Sequence, residues 1–265
     1  MHENVSRRRR ALLALGVARA RAGVLAGIAL GIAALSTIFS LALVPAARRA
    51  GGAALERLPC ATSSLLAWGA GVALAFAAAM QALRRDRDDG VRALVHARGH
   101  GAMAYLGARV GGLAVLLGAV VGGGTFLVGV LSTLASRGAV HAALTLQGTL
   151  AGCVYSALFA IVVAPVAFAA LGARSRAGGY LWLLTVLVLP EALSGLTGRL
   201  MPDGWTELVS IPGAVDAFRD GVLPPFDPLG SLRALIALAL VVGLAVAIVR
   251  AQLARSEAEH PRGAR

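Results

Sequence analysis

Four long stretches of this chain, residues 22–47, 58–83, 110–136 and 139–173, contain no Asp, Glu, Lys or Arg. A helix needs about 20 apolar residues to cross a bilayer. In lipid, every backbone N–H and C=O must be satisfied within the chain, so uncharged runs of this length can only be spanning helices. Two further segments have the same character. Residues 177–198 are interrupted only by Glu191, which follows Pro190, and residues 231–249 reach spanning length if the helix starts near Leu229 with Arg233 snorkelling. The expected fold is all-α: six transmembrane helices at 22–46, 58–83, 110–136, 146–171, 177–198 and 231–249. The fourth uncharged run is too long for one upright helix. Its more polar beginning, around His141, Thr145 and Gln147, is therefore assigned outside the span, with a kink expected at Pro165.

Composition agrees. Only 14% of residues are charged, against about 25% in soluble domains, and the mean hydropathy is +0.77. The net charge of +12 could suggest nucleic acid. No basic face is interleaved with aromatics, however, and no nucleic-acid partner is expected. The chain has no lysine, so all 25 basic residues are Arg. If the N-terminus is inside, 18 of the 25 fall on inner segments. That bias predicts both termini in the cytoplasm and a multi-pass protein of the inner membrane. The first apolar run is too long for a signal peptide and reads as a retained span. Cys60 and Cys153 have neither metal-ligand spacing nor a disulfide framework.

Residues 1–21 are basic and apolar by turns, as in an interfacial helix on the inner leaflet or a positive flank that aids insertion. Gly23, Gly27 and Gly31 form a small-residue stripe at every fourth position, and Gly107/Gly111, Gly118/Gly122 and Gly148/Gly152 repeat the spacing. Such stripes allow close helix approach, either between two copies or inside one bundle. The segment 199–230 is rich in proline and holds Trp205. It reads as an outer loop with a lid or short re-entrant element.

The segment 84–109 is the exception to the avoidance of charge, with Asp86, Asp88, Asp89 and six arginines. Val91, Leu94 and Val95 make a short apolar helical stripe. Asp88 and Asp89 precede it, where they would cap a helix N-terminus and favour its dipole. Gly99 and Gly101 then break the helix, and a new one starts near Ala102 and runs through Arg109 into the third span.

The order Asp89-Gly90, Leu94, Val95, Arg98, Leu106, Arg109 resembles the loop between spans two and three of type-2 ABC exporter permeases. Gly99 stands where that family usually has Pro, and Arg109 where it has Lys. The stretch "GARSRAGGYLWLLTVLVLP" resembles the fourth inner loop and fifth span of the haem-exporter-like membrane subunit of cytochrome c maturation. The resemblance implies that Asp89, Gly90, Leu94, Val95 and Arg98 form a cytoplasmic coupling helix on a separate ABC ATPase. It also implies a homodimer, or a heterodimer with a similar permease. A phosphate-binding loop needs a lysine, so ATP hydrolysis is expected in the partner, not here.

Other polar residues carry less. His96 and His100 have two-His spacing but no third ligand, so no metal or cofactor is expected. Glu191 is a candidate pathway residue, because an ionisable group inside a span is functional by default. His141, Thr145, Gln147 and Tyr155 are candidates for lining an internal cavity. No Ser/His/Asp, Cys/His or paired-carboxylate arrangement suggests an enzyme. The alternatives to the permease are a membrane scaffold or assembly subunit and a secondary transporter.

Overall fold

A computed structural model describes residues 2–99, 101–172, 176–190, 192, 193, 208, 210–221, 223 and 226–258. The protein is all-α, with no strand among these residues. Five helical rods are long and apolar enough to cross a membrane: Val24–Ala50, Gly52–Asp88, Ala102–Ala135, Ala139–Leu171 and Pro228–Arg255.

The elements run as follows. Helix α1 (His2–Ala20) precedes α2 (Val24–Ala50). The second rod is α3 (Gly52–Leu65), a π-helical turn (Leu66–Gly71) and α4 (Val72–Ala79). Two short helices follow, α5 (Ala82–Asp88) and α6 (Val91–Ala97). The third rod is α7 (Ala102–Leu117), a second π-helical turn (Gly118–Gly122) and α8 (Gly123–Ala135). Then come α9 (Ala139–Leu171), α10 (Arg176–Leu187), α11 (Ile211–Gly221) and α12 (Pro228–Ala258).

Helix α9 is the axis of the bundle. In its most apolar 18-residue window 78% of residues are buried, against 22% for α2 and for the last rod. All the other rods pack on it except α2, which packs on the second and third. The exposed Val24, Leu25, Ile28, Leu35 and Phe39 give α2 an apolar outer face.

Several boundaries differ from those expected. Helix α9 is one unbroken helix of 33 residues through Pro165, or about 50 Å. Its first turns stay helical because their polar groups are paired: Thr145 Oγ1 donates to His141 O (2.7 Å), and His141 Nδ1 lies 2.8 Å from Glu56 Oε1. Within the Gly52–Asp88 stretch the regular helix of the second rod breaks after Ala79 instead of running unbroken to residue 83. Met80 turns out of the helix, Gln81 adopts φ +55°, and Gln81 N–H and Leu83 N–H donate to the carbonyls of Leu171 and Gly172 (3.1 and 3.2 Å). Those bonds splice the turn onto the end of α9. The last rod starts at Pro228, whose missing N–H suits a first helical position, while Asp227 Oδ1 accepts from Gly230 N–H (3.0 Å). For the segment expected at 177–198, the described residues include α10. Glu191 and residues 194–207 lie outside the described residues.

The closest crossing of α1 is onto α7. A Cβ on Gly16 would run into the Ala108 carbonyl, and one on Gly112 into the Gly16 backbone. By contrast, a Cβ on Gly23, Gly27 or Gly31 would meet nothing. Gly112→Leu should therefore lower the unfolding midpoint in detergent, by about 1–3 kcal/mol of overpacking, and make α1 sensitive to protease. Gly27→Ala should leave the midpoint unchanged or raise it, since helical glycine costs about 0.5–1 kcal/mol relative to alanine.

Candidate functional site

Two polar constructions sit at opposite ends of the bundle. The first gathers α1, α5, α6 and the start of α7. Gln252 Nε2 on α12 donates to Ala169 O (2.9 Å) near the end of α9, so the C-terminal helix finishes at this end too.

Helix α6 begins at Gly90, whose φ of +68° only glycine adopts readily. No side chain caps it. The expected capping by Asp88 and Asp89 does not occur: Asp89 closes α5 and accepts from Arg19 Nη1 on α1 at 2.7 Å. A side chain committed to a partner on another helix is not available to its own backbone. Val91 and Val95 turn inward and are buried, while Leu94 is 58% exposed. Between α1 and α6 lies an open groove of about 770 Å³, lined by Ala11, Leu12, Leu15, Arg19, Leu94 and Arg98 among others. The structure thus brings Leu94, Val95 and Arg98 to one groove, with Asp89 bonded to the groove residue Arg19 and Gly90 as the turn that sets α6 at its angle. His96 is exposed on the last turn of α6, and His100 lies outside the described residues.

The same end of the bundle holds a buried pair that sequence reasoning did not assign. Asp86 is 1% exposed and Arg109 4%, with Arg109 Nε 2.7 Å from Asp86 Oδ2. Tyr105 Oη donates to the same oxygen at 2.5 Å, and the Arg109 guanidinium stands 5.9 Å over the Phe168 ring of α9. The Arg109 contact is ionic rather than an aligned hydrogen bond, because Nε and Nη1 have no hydrogen-bond partner among the described residues. The cluster ties α5 to α7 and rests both on α9. Its sequence signal was present: Tyr105 and Arg109 are four apart, hence on one helix face, and Asp86 lies in the same charged segment.

The second construction lies at the other end, between the second rod and α9. Glu56, Cys60, Ser64 and Trp68 recur every fourth residue along one face of the second rod. Glu56 meets His141, Cys60 Sγ donates to Gly148 O (3.4 Å), and Trp68 Nε1 donates to Tyr155 Oη (2.6 Å). Helix α11 adds Arg219. Its Nη1 donates to Ser64 Oγ (3.0 Å) and lies 3.0 Å from Asp216 Oδ1, its Nε donates to Asp220 Oδ1 (2.9 Å), and its guanidinium stands 5.2 Å over the Tyr155 ring. Burial works against the Arg219 charge. The hydrogen bond to Asp220 and the field of Asp216 outweigh it and hold the guanidinium above its ordinary range.

An open cleft of about 570 Å³ runs past these groups, lined by Glu56, Arg57, Cys60, Gln147, Arg219 and Asp220 among others. Of the four cavity candidates on α9, Gln147 lines this cleft. Thr145 and Tyr155 are buried in hydrogen bonds, and His141 pairs with Glu56. Arg219 was missed because its helix is short and lies in a Pro-rich stretch. The available signal was the Asp216, Arg219, Asp220 grouping on one face.

Neither a protein-family model nor a curated protein sequence matches this chain.

The buried pair supports a direct test. Asp86→Asn should destabilise by about 3–5 kcal/mol, because it leaves Arg109 buried without a countercharge, whereas Asp86→Leu combined with Arg109→Met should recover most of that loss. Denaturant unfolding in detergent micelles would measure both.

Proposed function

We propose that this chain is the permease subunit of an ABC-type exporter of the inner membrane, coupled to a separate ATPase and acting as a homodimer or with a similar permease. The observation that carries the reading is the pairing of exposure with rigidity at α6. Leu94 and Arg98 are exposed on an open groove, while the buried Val91 and Val95 seat α6 and the Asp86–Arg109–Tyr105 cluster anchors the preceding α5 to α7 and α9. A motor that closes on ATP must push on a surface it can reach and that does not yield. In this reading α6 is the coupling helix, its end of the bundle faces the cytoplasm, and the arginine bias has the matching sign.

The end-to-end path of the chain supports six spans. Helix α9 finishes beside Gln81 at the α6 end, and α11 packs against Ser64 at the other. One further crossing between them, beginning with α10, brings both termini to the same side. The unobstructed Gly27 and Gly31 on the outer face of α2 suit a contact with a second permease. Glu191 stays a pathway candidate on its sequence position alone.

The test is purification from native membranes in mild detergent, followed by an ATP hydrolysis assay. Wild type should bring an ATPase with it. A variant with Asp89→Arg and Leu94→Asp should lose at least about tenfold of that activity, equivalent to about 1.4 kcal/mol of docking energy, while the loss of the exposed Arg19–Asp89 pair lowers its stability by no more than about 1 kcal/mol. Wild type that carries no ATPase would sink the proposal.

A further inference from the structure

The groove between α1 and α6 has an apolar floor and a basic rim. Leu12, Leu15, Val91, Leu94 and Val95 make most of the floor, and the charged lining residues are Arg19 and Arg98. Among the described residues no carboxylate lines it. Asp89 accepts from Arg19 Nη1 at 2.7 Å, which leaves the other N–H groups of that guanidinium to a further acceptor. Arg98 is exposed, and its side chain has no hydrogen-bond or ion-pair partner among the described residues. The rim therefore presents donors and positive charge that the chain itself leaves unanswered.

The groove lies at a membrane boundary. Arg19 closely precedes Val24, where the first rod starts, and Arg98 closely precedes Ala102, where the third starts. From Ala11 to Ala18 helix α1 carries no charge, yet Ala11, Leu13, Ala14 and Ala18 are exposed. About two turns of uncharged helix with apolar side chains outward suit the edge of the acyl region, not water. The α6 wall differs, because His96 and Arg98 are exposed beside Leu94. One wall belongs to the hydrocarbon edge and the other to the polar layer. The slot between them matches a molecule with an apolar tail and an anionic head.

We propose that the α1–α6 groove seats one anionic phospholipid from the leaflet at this end of the bundle. Its acyl chain lies on Leu12, Leu15 and Leu94. Its phosphate takes the Arg98 guanidinium and the Arg19 N–H groups not given to Asp89, since guanidinium and phosphate match in geometry as well as charge. Basic pockets beside spanning helices select anionic headgroups in this way. A zwitterionic lipid would bring an ammonium against two arginines with no carboxylate on the lining to meet it. An acidic protein helix has the complementary charge too. The lipid is favoured because the outer face of α1 already lies against acyl chains, so its ligand is present at the groove without diffusing to it. The inference goes beyond the proposed coupling and does not rest on it. Leu94 and Arg98 are common to both, so a motor docking on α6 would meet the lipid as part of its surface.

The test uses the full chain alone, purified in a neutral detergent and titrated with phosphatidylglycerol or with phosphatidylcholine of the same acyl chains. Native mass spectrometry counts the bound lipid. Wild type should hold one phosphatidylglycerol about tenfold more tightly than phosphatidylcholine, the scale of one hydrogen bond to a charged group. Arg98→Gln should remove that preference and leave phosphatidylcholine unchanged. Leu94→Gln should weaken phosphatidylglycerol roughly fourfold, the scale of burying one methylene. Arg255→Gln is the control, an exposed arginine in the last turn of α12 at the same end of the bundle, and should change nothing. The substituted side chains are exposed, so unfolding midpoints without lipid should match wild type, and added phosphatidylglycerol should raise that of wild type more than that of Arg98→Gln. Equal affinity of wild type for the two lipids overturns the proposal and leaves the groove to a protein occupant. An equal loss from Arg98→Gln and Arg255→Gln overturns it too, because only the general field of the arginines would then be acting. So does displacement of the lipid by excess glycerol phosphate, which would make the groove a site for a phosphate without a chain. No ATPase takes part, so failure here leaves the coupling proposal standing, and failure of the coupling proposal leaves this one.

Discussion

Between helices surrounded by lipid there is little hydrophobic drive to associate, because the acyl chains are as apolar as leucine. Close van der Waals contact and hydrogen bonds decide which helices meet. In this protein those contacts converge on α9. A Cβ on Gly148 would strike the Glu56 carbonyl, one on Gly152 would strike Thr125 and crowd the Pro59 carbonyl, and one on Gly129 of α8 would overlap the Thr149 side chain. The backbone of the second rod therefore comes close to that of α9 at Gly148 and Gly152, while the third rod meets α9 by threonine side chains seated on glycines. Everything else, including the polar ends, is hung on that three-helix contact.

The buried Asp86–Arg109 pair belongs to this framework in a different way. Desolvating two charges can cost as much as their attraction returns, and such a pair is weak evidence for stability. Its effect here is geometric. The two π-helical turns let the second and third rods shift register against α9, with Phe159 beside Gly71 and Ser156 beside Gly122. A charged pair that tolerates only one partner arrangement fixes where α5 meets α7 after those shifts. The Gln81 turn, bonded to the end of α9, fixes the other side.

How much of this was legible follows from the range of each signal. Absence of charge is local and strong, so the apolar runs announced an all-α membrane fold. The stripe Val91, Leu94, Val95 and the breaks at Gly99 and Gly101 are local too, and α6 ends at Ala97 accordingly. The early start of α9 was hidden because its polar first turns look like a loop until Glu56 answers His141 from 85 residues away. Asp89 looked like a cap because its partner, Arg19, is 70 residues distant. The glycine stripes were visible but their use was not. Gly23, Gly27 and Gly31 face open space, while the unremarked Gly16 makes the tight crossing with Gly112. Spacing says which residues share a face, and only the fold says what that face meets.

Both guanidiniums that organise the ends rest on aromatic rings of the same helix, Arg109 over Phe168 and Arg219 over Tyr155. Those rings are 13 positions apart, about 20 Å along α9. Packed interiors do not deform continuously, so a displacement of one end of a helix buried on most of its surface appears at the other as a rigid shift. A push that moved α5 and α6 would reach Phe168 through Arg109. The same helix would carry it to Tyr155, on which the Arg219 seat depends. Under the proposed function this gives the motor end and the Arg219 end a common mechanical element without any contiguous polar path between them. It also accounts for the location of the long, uninterrupted helix. It is the element that cannot bend without losing both seats.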